Sequence, residues 1–217
     1  MKFKKAEGKD IATRYSHNLA LLTERFPDLA ARMPTMQADP GIQTVMAASG
    51  APTAFRSTPD GRSQFLHSRI DPVEEGAAWA DMADSRFPVA FILGMGLGYH
   101  VRAFVDRSRN LAAIHVIDVS EQVFHTALEA VDFAPLLAHS QMNFWIGMRE
   151  AEMASAVSAL TSPFSFHLYL PSLSVNPGYY DKVVRTLEKK QYDNRLADTG
   201  MQFFAKGIER LLGEMTR

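Results

Sequence analysis

The run Pro88-Val89-Ala90-Phe91-Ile92-Leu93 contains no polar side chain and ends directly in Gly94-Met95-Gly96-Leu97-Gly98. An apolar stretch of that length, bounded by turn chemistry, has the character of a strand buried on both faces. Such a strand needs a covering layer above and below it, and a following helix carries the chain to a parallel neighbour. The next segments repeat the alternation. Tyr99 to Arg107 reads as a helix, Leu111 to Ile117 as a second buried strand, and Glu121 to Val131 as a helix. Met142 to Ile146 is a third strand, Arg149 to Leu160 a helix, and Phe164 to Leu170 a fourth strand. Right-handed βαβ connections of this kind make a parallel sheet with helices on both faces. The expected class is therefore α/β, a Rossmann-like sheet of the methyltransferase-like type.

Upstream the period differs. Ile11, Tyr15, Leu19, Leu22, Phe26 and Leu29 recur at helical spacing, with an interruption at Pro27. Thr44–Ala47, Thr53–Arg56 and Gln64–His67 are short strand-like runs separated by Ser49-Gly50-Ala51-Pro52 and Pro59-Asp60-Gly61-Arg62, which predicts an antiparallel meander. Asp71-Pro72-Val73-Glu74-Glu75 opens a helix, with Asp71 as the cap and Glu74 completing a capping box. The organisation expected is a helix and β-meander unit over 1–86, followed by the Rossmann-like unit over 87–217. From Tyr179 onward the chain is charged and helical. There Phe203, Phe204, Ile208, Leu211, Leu212 and Met215 share one face, with no capping glycine after them. Either the stripe folds back on this domain or the polypeptide continues past Arg217 into a longer protein, and the second is the expectation.

Composition narrows the partners. Acidic residues number 24 and basic residues 23, a net charge of -1, which gives no broad field for nucleic acid or an anionic membrane. Cysteine is absent, which removes disulfides, thiolate metal sites and a cysteine nucleophile. The basic start Met1-Lys2-Phe3-Lys4-Lys5 leads into polar residues and not into the apolar core of a signal peptide, and no apolar run is long enough to span a bilayer. The expected location is the cytoplasm.

The glycine loop is the candidate site. Glycine permits positive φ and lets backbone N–H groups approach a ligand with no Cβ between them. The helix that follows presents free N–H donors and partial positive charge. Asp118 ends the second strand, where an acid can bind ribose hydroxyls at the carboxyl edge of the sheet. Gly94, Gly96, Gly98, Tyr99, His100 and Asp118 are thus the candidate ligand-binding residues. Tyr99 could stack on a base and His100 could reach a phosphate; both could equally pack the helix start. The spacing is Gly-x-Gly-x-Gly with Tyr99 in place of the last glycine of the dinucleotide pattern, closer to S-adenosylmethionine-binding loops. The cofactor is undetermined, a nucleotide or an S-adenosylmethionine-like molecule. The alternative is that the glycines only allow close helix–strand packing.

Other chemistry is sparse. The seven histidines show no pair at metal-ligand spacing, and His115 and His167 lie in apolar strand runs, as core histidines do. There is no Gly-x-Ser-x-Gly elbow and no phosphate loop ending in Gly-Lys-Ser/Thr. Adjacent Glu74 and Glu75 point about 100° apart on a helix, which suits solvation and capping, not paired catalysis.

Two segments carry a resemblance. Phe65-Leu66-His67-Ser68-Arg69-Ile70-Asp71-Pro72-Val73-Glu74-Glu75, and Gly94-Met95-Gly96-Leu97-Gly98-Tyr99-His100 followed by Val116-Ile117-Asp118, resemble the N-terminal region of bacterial motility accessory factor (Maf) proteins. The Asp60-Gly61 turn and Asn18-Leu19 also fit. That family's pattern after the second strand is Glu-Pro, where this chain has Asp118-Val119. The resemblance implies the N-terminal domain of a glycosyltransferase that decorates flagellin with nonulosonic acids, with sugar transfer carried by a region beyond Arg217. No catalytic residue is then expected in this chain, and flagellin is an expected partner. Two rival readings stand beside it: an independent methyltransferase-like enzyme using S-adenosylmethionine, and a ligand-free interaction module associating through its last helix.

Overall fold

The structure, a computed structural model, describes residues 8–33, 41–58, 61–84, 86–108 and 110–215, with side chains described between Ile11 and Ala197. The first helical pattern is broken where expected. α1 (Gly8–Arg25) and α2 (Pro27–Arg32) meet at Phe26, and Pro27 occupies the first turn of α2, where its missing N–H costs nothing. β1 (Ile42–Met46), β2 (Pro52–Ser57) and β3 (Ser63–Phe65) form the antiparallel meander. Pro59 and Asp60 of the second turn lie outside the described residues.

α3 (Pro72–Met82) starts at Asp71, whose Oδ1 accepts the N–H groups of Val73 and Glu74 at 2.9 and 3.1 Å. The expected capping box does not close. The Asp71 N–H is taken by Ser68 Oγ at 3.2 Å, leaving Glu74 exposed.

The alternating region follows as β4 (Val89–Leu93), α4 (Tyr99–Arg107), β5 (Ala113–Asp118), α5 (Glu121–Ala130) and α6 (Ala134–Leu137). It continues through β6 (Met142–Ile146), α7 (Glu150–Ser158), β7 (Phe164–Leu168), α8 (Leu170–Val175) and α9 (Pro177–Met215). The four later strands are parallel in the order β6-β5-β4-β7. β4 is buried along its whole length, and its period of two separates two cores. Ala90 and Ile92 face a cluster with Val101, Phe104 and Phe124 from α4 and α5. Phe91 and Leu93 face Met153 and Val157 of α7 and Tyr180, Val183 and Leu187 of α9. The final apolar stripe from Phe203 to Met215 lies outside the described side chains.

Leu22, Met33, Ala54 and Leu66, from before residue 87, share the first cluster with the helices of the parallel sheet. The N-terminal helices are also held by side chains that reach backbone carbonyls far along the chain. Fully buried Asn18 donates to Leu128 O and Val131 O, both at 2.8 Å, and accepts the Phe133 N–H at 3.0 Å. Arg25 donates to Leu137 O at 2.7 Å and Ser140 O at 3.0 Å, and Arg32 to Ile146 O at 3.0 Å. Asn18→Ala would strand these buried groups of α5 and its connection to α6. The expected loss is about 2–3 kcal/mol in urea unfolding; a loss below about 0.5 kcal/mol would mean that water replaces the amide freely.

Sheet order puts the switch in strand direction of travel between β4 and β7, where open parallel sheets hold ligands above their carboxyl ends. Gly94 follows β4 there, and α8 follows β7 there.

Candidate functional site

All three loop glycines have the conformation that only glycine adopts without strain: φ is +94° at Gly94, +49° at Gly96 and +85° at Gly98. Between them Met95 and Leu97 turn into the core, 0% and 1% exposed. The backbone donors that were expected to meet a ligand are largely engaged within the protein. Gly94 N–H reaches Ile117 O at 2.8 Å and Gly98 N–H reaches Met95 O at 2.9 Å. Met95 N–H donates to Asp118 Oδ2 at 2.7 Å, and Leu97 N–H to His67 Nε2 at 2.9 Å. The close approaches that the glycines permit are made by the protein's own side chains. A Cβ on Gly96 would stand 2.5 Å from His67 Nε2, and one on Gly94 2.4 Å from Ser172 Cβ. Thus α8 lies across the mouth between β4 and β7, and His67 closes the loop from the end of the meander.

The other candidate residues face inward as well. Asp118 is 2% exposed, and its Oδ1 accepts the Ser120 N–H at 2.9 Å. Burial pushes its carboxyl pKa up despite the two backbone donors. The Tyr99 hydroxyl donates to Pro52 O at 2.8 Å, tying α4 to the meander. His100 is fully buried, with Nε2 2.9 Å from Gly94 O and its ring stacked on Tyr169 at 3.7 Å. Burial, reinforced by neighbouring His67, lowers its pKa well below the usual imidazole value. Its Nδ1 has no hydrogen-bond partner among the described residues. Gly98 and Tyr99 line a cleft of about 410 Å³ between α3, α4 and α6, together with Val73, Arg102 and Phe133.

Sequence reasoning assigned no site role to His67, Glu75, Tyr169 or Ser172. Glu75, expected to serve solvation and capping, is instead a hub. Its Oε2 lies 3.0 Å from His67 Nδ1, accepts the Ser68 N–H at 3.0 Å and accepts the Tyr169 hydroxyl at 2.9 Å. The network fixes the tautomer. The Leu97 N–H can only donate, so His67 Nε2 carries a lone pair and Nδ1 carries the proton, which faces the Tyr169 hydroxyl oxygen at 2.6 Å and Glu75 Oε2 at 3.0 Å. Burial pulls the His67 pKa down against the opposing pull of Glu75. Burial also pushes the Glu75 carboxyl up, but the donors from His67, Ser68 and Tyr169 outweigh it and hold it below the usual range. A carboxylate–histidine pair resembles the orienting half of a catalytic triad. Here the second imidazole nitrogen is spent on a backbone N–H, so the ring has no lone pair left to act as a base. Among the described residues no group of histidines and acids is placed to hold a metal ion.

A protein-family model, the glycosyltransferase Maf N-terminal domain, matches residues 53–162, from β2 to just beyond α7. The chain belongs to this family. The match to the Maf N-terminal domain includes the glycine loop, Asp118, His67 and Glu75, and stops short of Tyr169 and Ser172. Among solved structures, the Maf glycosyltransferase from Magnetospirillum magneticum AMB-1 is similar at 16% identity and a TM-score of 0.48. That match covers 80% of this chain and 35% of the other, so the chain spans about a third of the length of that protein. No curated protein matches. No helix among the described residues is long and apolar enough to cross a membrane.

Proposed function

We propose that this Maf N-terminal domain is a supporting, non-catalytic part of a longer cytoplasmic protein glycosyltransferase whose acceptor is flagellin and whose donor sugar is a nonulosonic acid. The observation that carries the supporting role is the closure of the glycine loop. Met95 N–H and Leu97 N–H are bound to Asp118 and His67, and Ser172 lies against Gly94. Gly94, Gly96, Gly98, Tyr99, His100 and Asp118 then hold the sheet, meander and α8 together instead of gripping a cofactor. The family membership supports the glycosyltransferase setting.

Two measurements test the reading. Isothermal titration of the chain with S-adenosylmethionine, S-adenosylhomocysteine and ATP is expected to show no heat of binding; micromolar affinity for any of them would restore the ligand role of the loop. In cells, flagellin should keep its full glycan mass when the full-length protein carries Tyr99→Phe or Arg102→Ala. Unglycosylated flagellin at normal abundance of the variant would give the loop and its cleft a direct part in transfer.

A further inference from the structure

A groove of about 590 Å³ runs between α3 and β7, the edge strand of the parallel sheet. Its walls are apolar and aromatic, with Trp79, Met82, Phe166, Leu168 and Leu170 around Glu75. Met82 and Leu170 are 80% and 68% exposed at its rim, a large apolar surface to leave in water. His167 and Tyr169 complete the lining, and burial lowers the pKa of His167, so its ring is neutral at pH 7. Among the described residues that line it, Glu75 alone is charged.

That carboxylate is set for a ligand in an unusual way. Oε2 receives His67, Ser68 and Tyr169, which fix the position of the group and keep it ionised. Oε1 accepts nothing among the described residues, and the side chain remains 31% exposed. One oxygen anchors the group while the other is available.

The geometry disfavours an added strand as occupant. Alternate residues of β7 direct their backbone away from β4, and two carbonyls of that outer row are already taken. Trp79 Nε1–H donates to Leu168 O at 3.0 Å, and Gln191 Nε2–H donates to Phe164 O at 2.9 Å. Phe166 between them is too little for a ladder.

We propose that the groove binds an organic cation, a primary ammonium or guanidinium on a short aromatic or aliphatic body. The cation would pair with Glu75 Oε1, and its body would lie against Trp79, Phe166 and Leu168. A charge-assisted hydrogen bond at a partly desolvated carboxylate, aromatic rings nearby and a volume in the range of small-molecule sites all suit that class. The proposal is independent of whether the domain supports a glycosyltransferase.

The test titrates the full 217-residue chain with phenethylammonium, with neutral 2-phenylethanol, and with lysine capped at both ends, followed by amide chemical shifts. The ammonium is expected to saturate with shifts centred on Trp79, Phe166 and Leu168, and to bind at least tenfold more tightly than the alcohol. Glu75→Gln should lose that advantage. Because Glu75 also anchors His67, a second variant, Met82→Lys, places a competing ammonium at the exposed rim and should weaken binding tenfold without touching the fold. Tighter binding of capped lysine would mean that the cation arrives on a polypeptide, and tighter binding of the free amine that it is a metabolite; both support the site. Equal affinity for ammonium and alcohol, no saturation at millimolar concentration, or parental affinity in folded Met82→Lys would overturn it.

Discussion

Gly96→Ala is expected to cost the domain about 3–6 kcal/mol, enough to leave much of it unfolded at 37 °C. The backbone at this position has φ of +49°, and a Cβ there would meet His67 Nε2 at 2.5 Å. A left-handed conformation costs a non-glycine residue about 1–2 kcal/mol. Displacing His67 strands the Leu97 N–H and loosens the contact with Glu75, and each buried polar group left unpaired adds about 1–3 kcal/mol. Gly50→Ala is the internal control, since Gly50 also has positive φ, at +88°, but nothing lies within 4 Å of the added Cβ. It should cost only about 1–2 kcal/mol. Similar urea midpoints for the two variants would mean that the loop is open enough to yield, and the closed-loop account would fall.

The second large effect is acid lability above the range where carboxylates titrate. His67 and His100 are fully buried, and both have pKa values lowered on folding. The unfolded chain therefore takes up protons near pH 6.5 that the folded chain refuses. Their stabilisation is present above pH 6.5 and is lost as pH falls from there toward the lowered folded values. Each histidine can contribute up to about 1.4 kcal/mol per pH unit to that loss. His115, pushed down to about 4 by burial, acts with the same sign. Glu75 adds its own loss only lower, as pH falls through its depressed carboxyl value. Asp118 opposes the trend because its raised pKa favours the protonated folded state. Unfolding free energy should thus fall steeply as pH drops from 6.5 to 5.5, and His100→Gln should reduce the slope by up to one proton. A flat profile over that interval would contradict the neutral buried histidines.

How much could be read from sequence follows the range of the interactions involved. β4 was legible because six adjacent apolar residues leave few alternatives, and the alternation after it set a parallel sheet. Asp71 was legible as a cap because a cap bonds two or three residues away. The loop glycines were located correctly as positions needing positive φ. What occupies the space they leave was not legible, because Ser172 and His67 come from segments distant in sequence. Leu170 was expected to extend the fourth strand, yet it opens α8, with Pro171 beside it in the first turn, where a missing N–H costs nothing. Glu75 was indistinguishable from its neighbour Glu74 until the helix phase turned it toward His67. A histidine two residues past a strand and just ahead of a capped helix is the signal that could have found the pair.

The carbonyls gripped by Asn18, Arg25 and Arg32 belong to residues made long after those side chains, between Leu128 and Ile146. At about 5–20 residues per second, the N-terminal helices emerge from the ribosome on the order of 10 seconds before anything exists to hold them. Leu22, fully buried in the finished domain, spends that interval in water. Vectorial synthesis therefore gives this segment a waiting period, and nascent chains halted before Leu128 should present it to chaperones and proteases, whereas chains extended past Ile146 should not.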